Sequence, residues 1–141
     1  MDTAFKEVIS KCQIINRKNQ EDTWITAPLI NVFTQIHSLG LAHSVEVWEE
    51  DKLVGGLYGI ALGKIFYGES MFAERSNASK LALIKLVSFL KENDFVLIDC
   101  QQETDHLISL GASLIDKEIF YRYLKRNTFE ASLQGKWSLD Q

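Results

Sequence analysis

Cysteine is scarce in this 141-residue chain. Cys12 and Cys100 stand alone, and neither belongs to a CxxC pair, which excludes zinc-ribbon and thioredoxin patterns. Free thiols suit a reducing compartment. No apolar run approaches the ~20 residues of a bilayer span, and the N-terminus has no secretory h-region. A cytoplasmic location is therefore expected. Basic residues are outnumbered: 15 Lys and Arg face 19 Asp and Glu, for a net charge of −4. A broad basic nucleic-acid face is not expected, because phosphate binding rests on clustered Lys and Arg. Arg122, Lys125 and Arg126 read as a solvated helix face. His37, His43 and His106 are isolated, without HExxH or other ligand spacing, so no metal site is expected. GxSxG, GxxxxGK[ST] and GxGxxG are missing, which removes the nucleophile elbow, the P-loop and the dinucleotide fingerprint.

What is present is ordinary globular material, 46% hydrophobic and 24% charged. The length suits one domain. A chain of this size buries roughly 68–70% of the surface its unfolded form exposes, enough to fold alone. The densest signal runs from His43 to Lys80. It packs strand-forming residues, the glycines of GGLYG, a Gly-Glu-Ser step and a polar SNASK loop into one stretch. Such punctuation between buried strands points to backbone brought close to a ligand.

The coarse pattern gives an element order. Phe5, Val8, Ile9 and Cys12 have helical spacing. Polar residues 16–22 predict a loop. Thr26 reads as an N-cap with Pro28 in the first turn, and Leu29, Val32, Phe33 and Ile36 form an apolar stripe that Gly40 ends. Ser44–Trp48, Leu53–Leu62 and Ile65–Tyr67 predict an antiparallel meander, followed by a loop over Glu69–Ser76. Ser76 or Asn77 caps a helix to about Lys91 that buries Leu83, Leu86, Val87 and Leu90. Phe95–Ile98 predicts a central strand, and the helix before it makes a crossover with parallel pairing. Thr104–Leu110 is a short helix closed by Gly111, and Asp116 caps a last helix carrying Phe120, Tyr123 and Leu124. The fold class is thus α/β in the broad sense, an α+β mixed sheet with helices on both sides, matching the N-acetyltransferase (GNAT) superfold in a single domain. Residues 1–127 form the expected acyltransferase-like catalytic domain, and 128–141 a weakly patterned C-terminal tail. Fold alone names no reaction.

Asp99 follows the buried run Phe-Val-Leu-Ile, at the carboxyl end of a central strand, where ligands of open α/β sheets bind. Gln101 lies two residues on. If the strand continues, both side chains share a face, and a carboxylate beside an amide can orient and deprotonate an attacking amine. The plainer alternative is a strand-capping Asp99 and a loop Gln101. Glu69 follows Gly68 at the end of another strand. It either binds a cation and shares a site with Asp99, or is a solvated loop glutamate. Leu57, Phe66, Leu83, Leu86 and Ile98 can line an apolar pocket, and core packing explains all five equally well. Cys100 has no arranged histidine partner and reads as an inert thiol.

The ordered motifs Trp24-Ile25-Thr26, His43 to Trp48, Leu53 to Gly59, Gly68 to Phe72, Asn77 to Lys80, Leu97 to Gln101 and Ser109 to Ala112 resemble the leucyl/phenylalanyl-tRNA–protein transferase family. They span about residues 2 to 125, and their order makes the resemblance specific. It implies an acyltransferase-like fold that uses no coenzyme A or other cofactor. It implies transfer of leucine or phenylalanine from charged tRNA to the N-terminal Arg or Lys of an acceptor protein, which marks that protein for degradation. By motif match, Asp99 is implied as the catalytic carboxylate and Gln101 as its partner. Glu69 and Ser70 are implied to contact substrate, and Leu57, Phe66, Leu83, Leu86 and Ile98 to line the side-chain pocket. Trp24 is implied to lie near the terminal adenosine, where stacking contributes about 1–3 kcal/mol. Leu57 stands where methionine is common in the family, Leu86 where a phenylalanine is known, and Ala73 replaces a serine. The family also carries a further N-terminal domain ahead of the region matched by Asp2–Ile9, supplying part of the tRNA surface. With Met1 as the first residue read, that domain is expected to be absent. Two other readings stay open: an acetyl-CoA-dependent N-acetyltransferase, against which the glycine-free Ser76-Asn77-Ala78-Ser79 weighs, and a non-catalytic module binding tRNA ends or protein N-termini.

Overall fold

Two apolar clusters, one on each face of a mixed sheet, organise the molecule. The computed structural model describes residues 1–15 and 24–138. The elements are α1 (Phe5–Ile14), α2 (Ala27–Ser38), β1 (Ala42–Glu49), β2 (Lys52–Leu62), β3 (Ile65–Ala73), α3 (Ala78–Glu92), β4 (Leu97–Asp99), α4 (Asp105–Ser109) and α5 (Lys117–Asn127). The sheet order is β1-β2-β3-β4. The first three strands pair antiparallel and β4 pairs parallel to β3, as the crossover through α3 requires. This is an α+β fold, with the meander and the single parallel strand expected from sequence, although that strand, expected to be central, is the edge strand of the sheet. The expected loop over residues 16–22 lies outside the described residues.

Phe5, Val8, Ile9 and Cys12 of α1 and Ile30 and Phe33 of α2 pack with Tyr58 and Phe72 on one face. On the other, Ala82, Leu86, Phe89 and Leu90 of α3 cover Val45, Leu57, Ala61 and Phe66. The glycines of β2 are filled by the protein itself, which corrects the expectation that they bring backbone to a ligand. A methyl group built at Gly55 would fall 2.4 Å from the Ala78 Cβ, so Gly55 lets the first turn of α3 lie against the sheet. At Gly59 it would fall 2.6 Å from two carbons of the Phe66 ring, which occupies that space instead.

The meander departs from expectation in one place that shapes the site. Residues 69–76 were expected to form a loop, but β3 continues to Ala73. Gly59 pairs with Gly68 and Tyr58 with Ser70, leaving Glu69 as the extra residue of a β-bulge. The bulge shifts the alternation by one. Phe66 packs in the α3-side cluster, and so does Met71, five residues later, where an unbroken strand would place it on the other face. That broken period is why Ser70-Met71-Phe72 does not read as strand.

The segment after Thr128, weakly patterned in sequence, returns to the core. Trp137 is only 3% exposed and joins the α3-side cluster with Leu133. Gly63 N–H donates to Ser132 Oγ at 2.8 Å, and Asn127 brackets the same hairpin through Lys64 N–H and the Leu62 carbonyl. The β2–β3 turn is thus tied to the C-terminal part of the chain.

Candidate active site at the ends of β3 and β4

Parallel pairing sets Tyr67 beside Asp99, and Gly68 is the next residue of β3. Asp99 is the last residue of β4 and half-buried. The strand does not continue to Gln101, which corrects the premise that alternation alone puts the two side chains on one face. Gln101 instead has φ +55°, in the left-handed region, and its N–H donates to Asp99 Oδ1 at 2.8 Å. A tight Asx-type turn therefore joins the two residues. With its amide nitrogen facing the sheet, Gln101 donates to the Gly68 carbonyl at 2.9 Å and to the Cys100 carbonyl at 3.2 Å.

Glu69 comes to this end of the sheet on its bulge. Burial, and then the charge of Asp99, raise its pKa above that of an ordinary glutamate. The same two causes raise Tyr67, and also Cys100, which keeps the latter a thiol as expected. Electrostatically, Asp99, Glu69, Tyr67 and Cys100 form one neighbourhood. Among the described residues, no lysine, arginine or histidine nitrogen lies within salt-bridge distance of Asp99 or Glu69.

The apolar candidates differ in burial. Leu57, Phe66 and Leu86 are buried at 4%, 1% and 1%, while Leu83 and Ile98 are half-buried in the same cluster with Met71 and Val47. All five thus meet on the α3 side of the sheet. Ser70 pairs with Tyr58 across β2 and β3. Trp24 is not with them: it is 44% exposed, and its neighbour Ile25 packs in the cluster under α1 and α2. Arg122, Lys125 and Arg126 are exposed on α5, as expected. At the start of α3, Ala78 and Ser79 are buried against the sheet. No described cluster of His, Cys, Asp or Glu could hold a metal ion, and no described helix is long and apolar enough to cross a membrane.

Sequence reasoning missed two buried polar residues, Asp2 and His43, joined by a 2.8 Å contact from His43 Nδ1 to Asp2 Oδ2. His43 carried no ligand spacing, and its partner lies 41 residues away in the chain. Only the fold brings them together.

Fold and site together define an α+β protein whose sheet ends in two carboxylates, Asp99 and Glu69, that have no ion-pair partner among the described residues. The family model of the leucyl/phenylalanyl-tRNA protein transferase matches residues 1–125. Curated proteins named leucyl/phenylalanyl-tRNA–protein transferase are similar over nearly the whole chain. The one from Hydrogenovibrio crunogenus is 47% identical over 99% of this chain and 55% of its own length. Those from Cupriavidus metallidurans and Syntrophus aciditrophicus are 48% and 49% identical, over 100% and 98% of this chain and 56% and 58% of theirs. The chain belongs to the leucyl/phenylalanyl-tRNA protein transferase family. It spans a little over half the length of these relatives.

Proposed function

We propose that this chain is the acyl-transfer domain of an aminoacyltransferase, with a GNAT-like fold over residues 1–127. It moves leucine or phenylalanine from charged tRNA to the α-amine of an acceptor protein that begins with Arg or Lys, in the cytoplasm. The observation that carries the reading is the carboxylate pair Asp99 and Glu69, which has no cationic partner among the described residues and lies next to Ile98 of the α3-side apolar cluster. An incoming N-terminus is a cation, and a second positive charge on its first side chain strengthens the attraction. The aminoacyl side chain is apolar and needs a dry wall.

In this reaction the amine must first lose a proton, which Asp99 accepts. Burial and the Asp99 charge make Glu69 a stronger base than a free glutamate, so it shares the ammonium before deprotonation. The Oε1 of Gln101 accepts from an amine N–H and aims its lone pair. The nitrogen attacks the ester carbonyl carbon, and a C–N bond forms. The tetrahedral intermediate collapses by breaking the bond to the ribose oxygen, which takes up the proton held by Asp99 and leaves as a hydroxyl, while the nitrogen returns its extra proton to the Asp99 carboxylate. No cofactor is needed for these steps. Ser70, next to Glu69 on the bulged strand, contacts the substrate. Leu57, Phe66, Leu83, Leu86 and Ile98 hold the aminoacyl side chain, and Trp24 offers an exposed ring for the terminal adenosine. Such an apolar pocket discriminates by shape, at about 1–3 kcal/mol per methylene.

The test is transfer of radiolabelled leucine from charged tRNA to a peptide beginning with Arg. Incorporation by wild type and its loss in folded Asp99→Ala supports the reading. Equal incorporation by both proteins, or none by folded wild type, overturns it.

A further inference from the structure

Asp2, His43 and Trp137 form a buried device that the transfer chemistry leaves unused. The Asp2 carboxylate accepts from His43 Nδ1, Ser44 N–H and Trp137 N–H, each at 2.8 Å. A carboxylate only accepts, so the His43 proton is on Nδ1. The Trp137 ring lies flat on the His43 imidazole, with centroids 3.6 Å apart and planes within 6°. Its Nε1–H donates to the Leu133 carbonyl at 3.2 Å. One ring is thus fixed from three directions.

What this ring touches connects it to the site. Its centroid is 4.6 Å from that of Phe89 and 6.0 Å from that of Phe66. His43 pairs with Gly59 across β1 and β2, and the Phe66 ring fills the space over Gly59. Gly59 therefore supports Phe66 from below, and Trp137 bounds it from the side. Leu57, Phe66, Leu83, Leu86 and Ile98 all belong to the cluster that Trp137 closes.

We infer that Trp137 is a positioning residue for substrate selection: by fixing Phe66 it sets the depth of the apolar subsite for the aminoacyl side chain. The inference rests on the reading of that cluster as the side-chain pocket. Replacing the indole by a smaller group lets Phe66 withdraw and deepens the floor, which favours the longer phenylalanyl side chain over leucyl.

The experiment is an NMR titration of wild type, Trp137→Phe and Trp137→Leu with amide-linked leucyl-adenosine and phenylalanyl-adenosine. Thermal unfolding of each variant establishes that it is folded. The expected result is a rise in the phenylalanyl-to-leucyl affinity ratio, by about tenfold in Trp137→Leu and less in Trp137→Phe. In a Phe66→Leu background the change in ratio should disappear, because Trp137 acts through Phe66. Should Trp137→Leu not fold, Trp137→Phe makes the same comparison with an aromatic ring retained. A purely structural role lowers both affinities by one factor and leaves the ratio unchanged, which overturns the inference while the transferase reading stands. Binding of neither compound to wild type overturns the pocket reading and this inference with it.

Discussion

Asp2 and Glu69 are both carboxylates brought out of water by the same sheet, yet they are kept in opposite ways. Burial alone would raise the Asp2 carboxyl. Hydrogen bonds from His43 and from the Trp137 and Ser44 N–H groups, with the His43 charge, outweigh it and hold the group below its ordinary value. Glu69 has burial without that compensation, and the charge of Asp99 beside it pushes in the same direction. A buried carboxylate that accepts from three donors in distant segments ties those segments together. One left half-buried beside a like charge is costly to the fold and available to a ligand. The contrast separates the structural end of this molecule from its reactive end.

The comparison breaks most severely at Trp137. Trp137→Ala removes a ring that closes the α3-side cluster, and a loss of about 3–5 kcal/mol is expected in denaturant unfolding. At the reactive end, Asp99→Ala should lower leucine transfer to an Arg-initial peptide by about 10²-fold or more, while leaving unfolding within about 0.5 kcal/mol of wild type. Asp2→Asn leaves the buried donors with a poorer acceptor, and a loss of about 1–3 kcal/mol is expected at neutral pH. Because the folded pKa of Asp2 is depressed, its contribution is present above its unfolded pKa and lost as pH falls through the folded one. Asp2→Asn should therefore flatten the acid limb of a stability-versus-pH curve below about pH 4. The smallest effect belongs to Glu69→Gln. A raised folded pKa means the native state holds that proton more tightly, so wild type loses stability as pH rises through the glutamate range. Removing the charge should leave stability at pH 7 unchanged or slightly higher in thermal unfolding, and reduce transfer.

Most of the fold was legible because apolar spacing announces it. The Leu86 and Leu90 stripe of α3, the hairpin at Gly63 and the parallel pairing through Ile98 follow from local pattern. The bulge at Glu69 was not legible, since one extra residue breaks the two-residue period by which a strand is recognised. Trp137 was not legible either. It lies in a weakly patterned tail, and its partners, Asp2 and His43, are 135 and 94 residues away in the chain. The pairing of Asp99 with Gln101 was expected for the wrong local reason: a turn at positive φ joins them, not strand alternation. The apolar candidates came together, while Trp24 stands apart from them on the surface.

The most direct test of the contrast is a carboxyl-detected NMR titration of Glu69, alone and with a peptide that begins with Arg. The expected result is a pKa above the ordinary glutamate range in the free protein, which falls when the cationic N-terminus docks. The pKa should also fall in Asp99→Asn. An ordinary pKa in the free protein, or a raised one that the peptide does not move, would contradict the account.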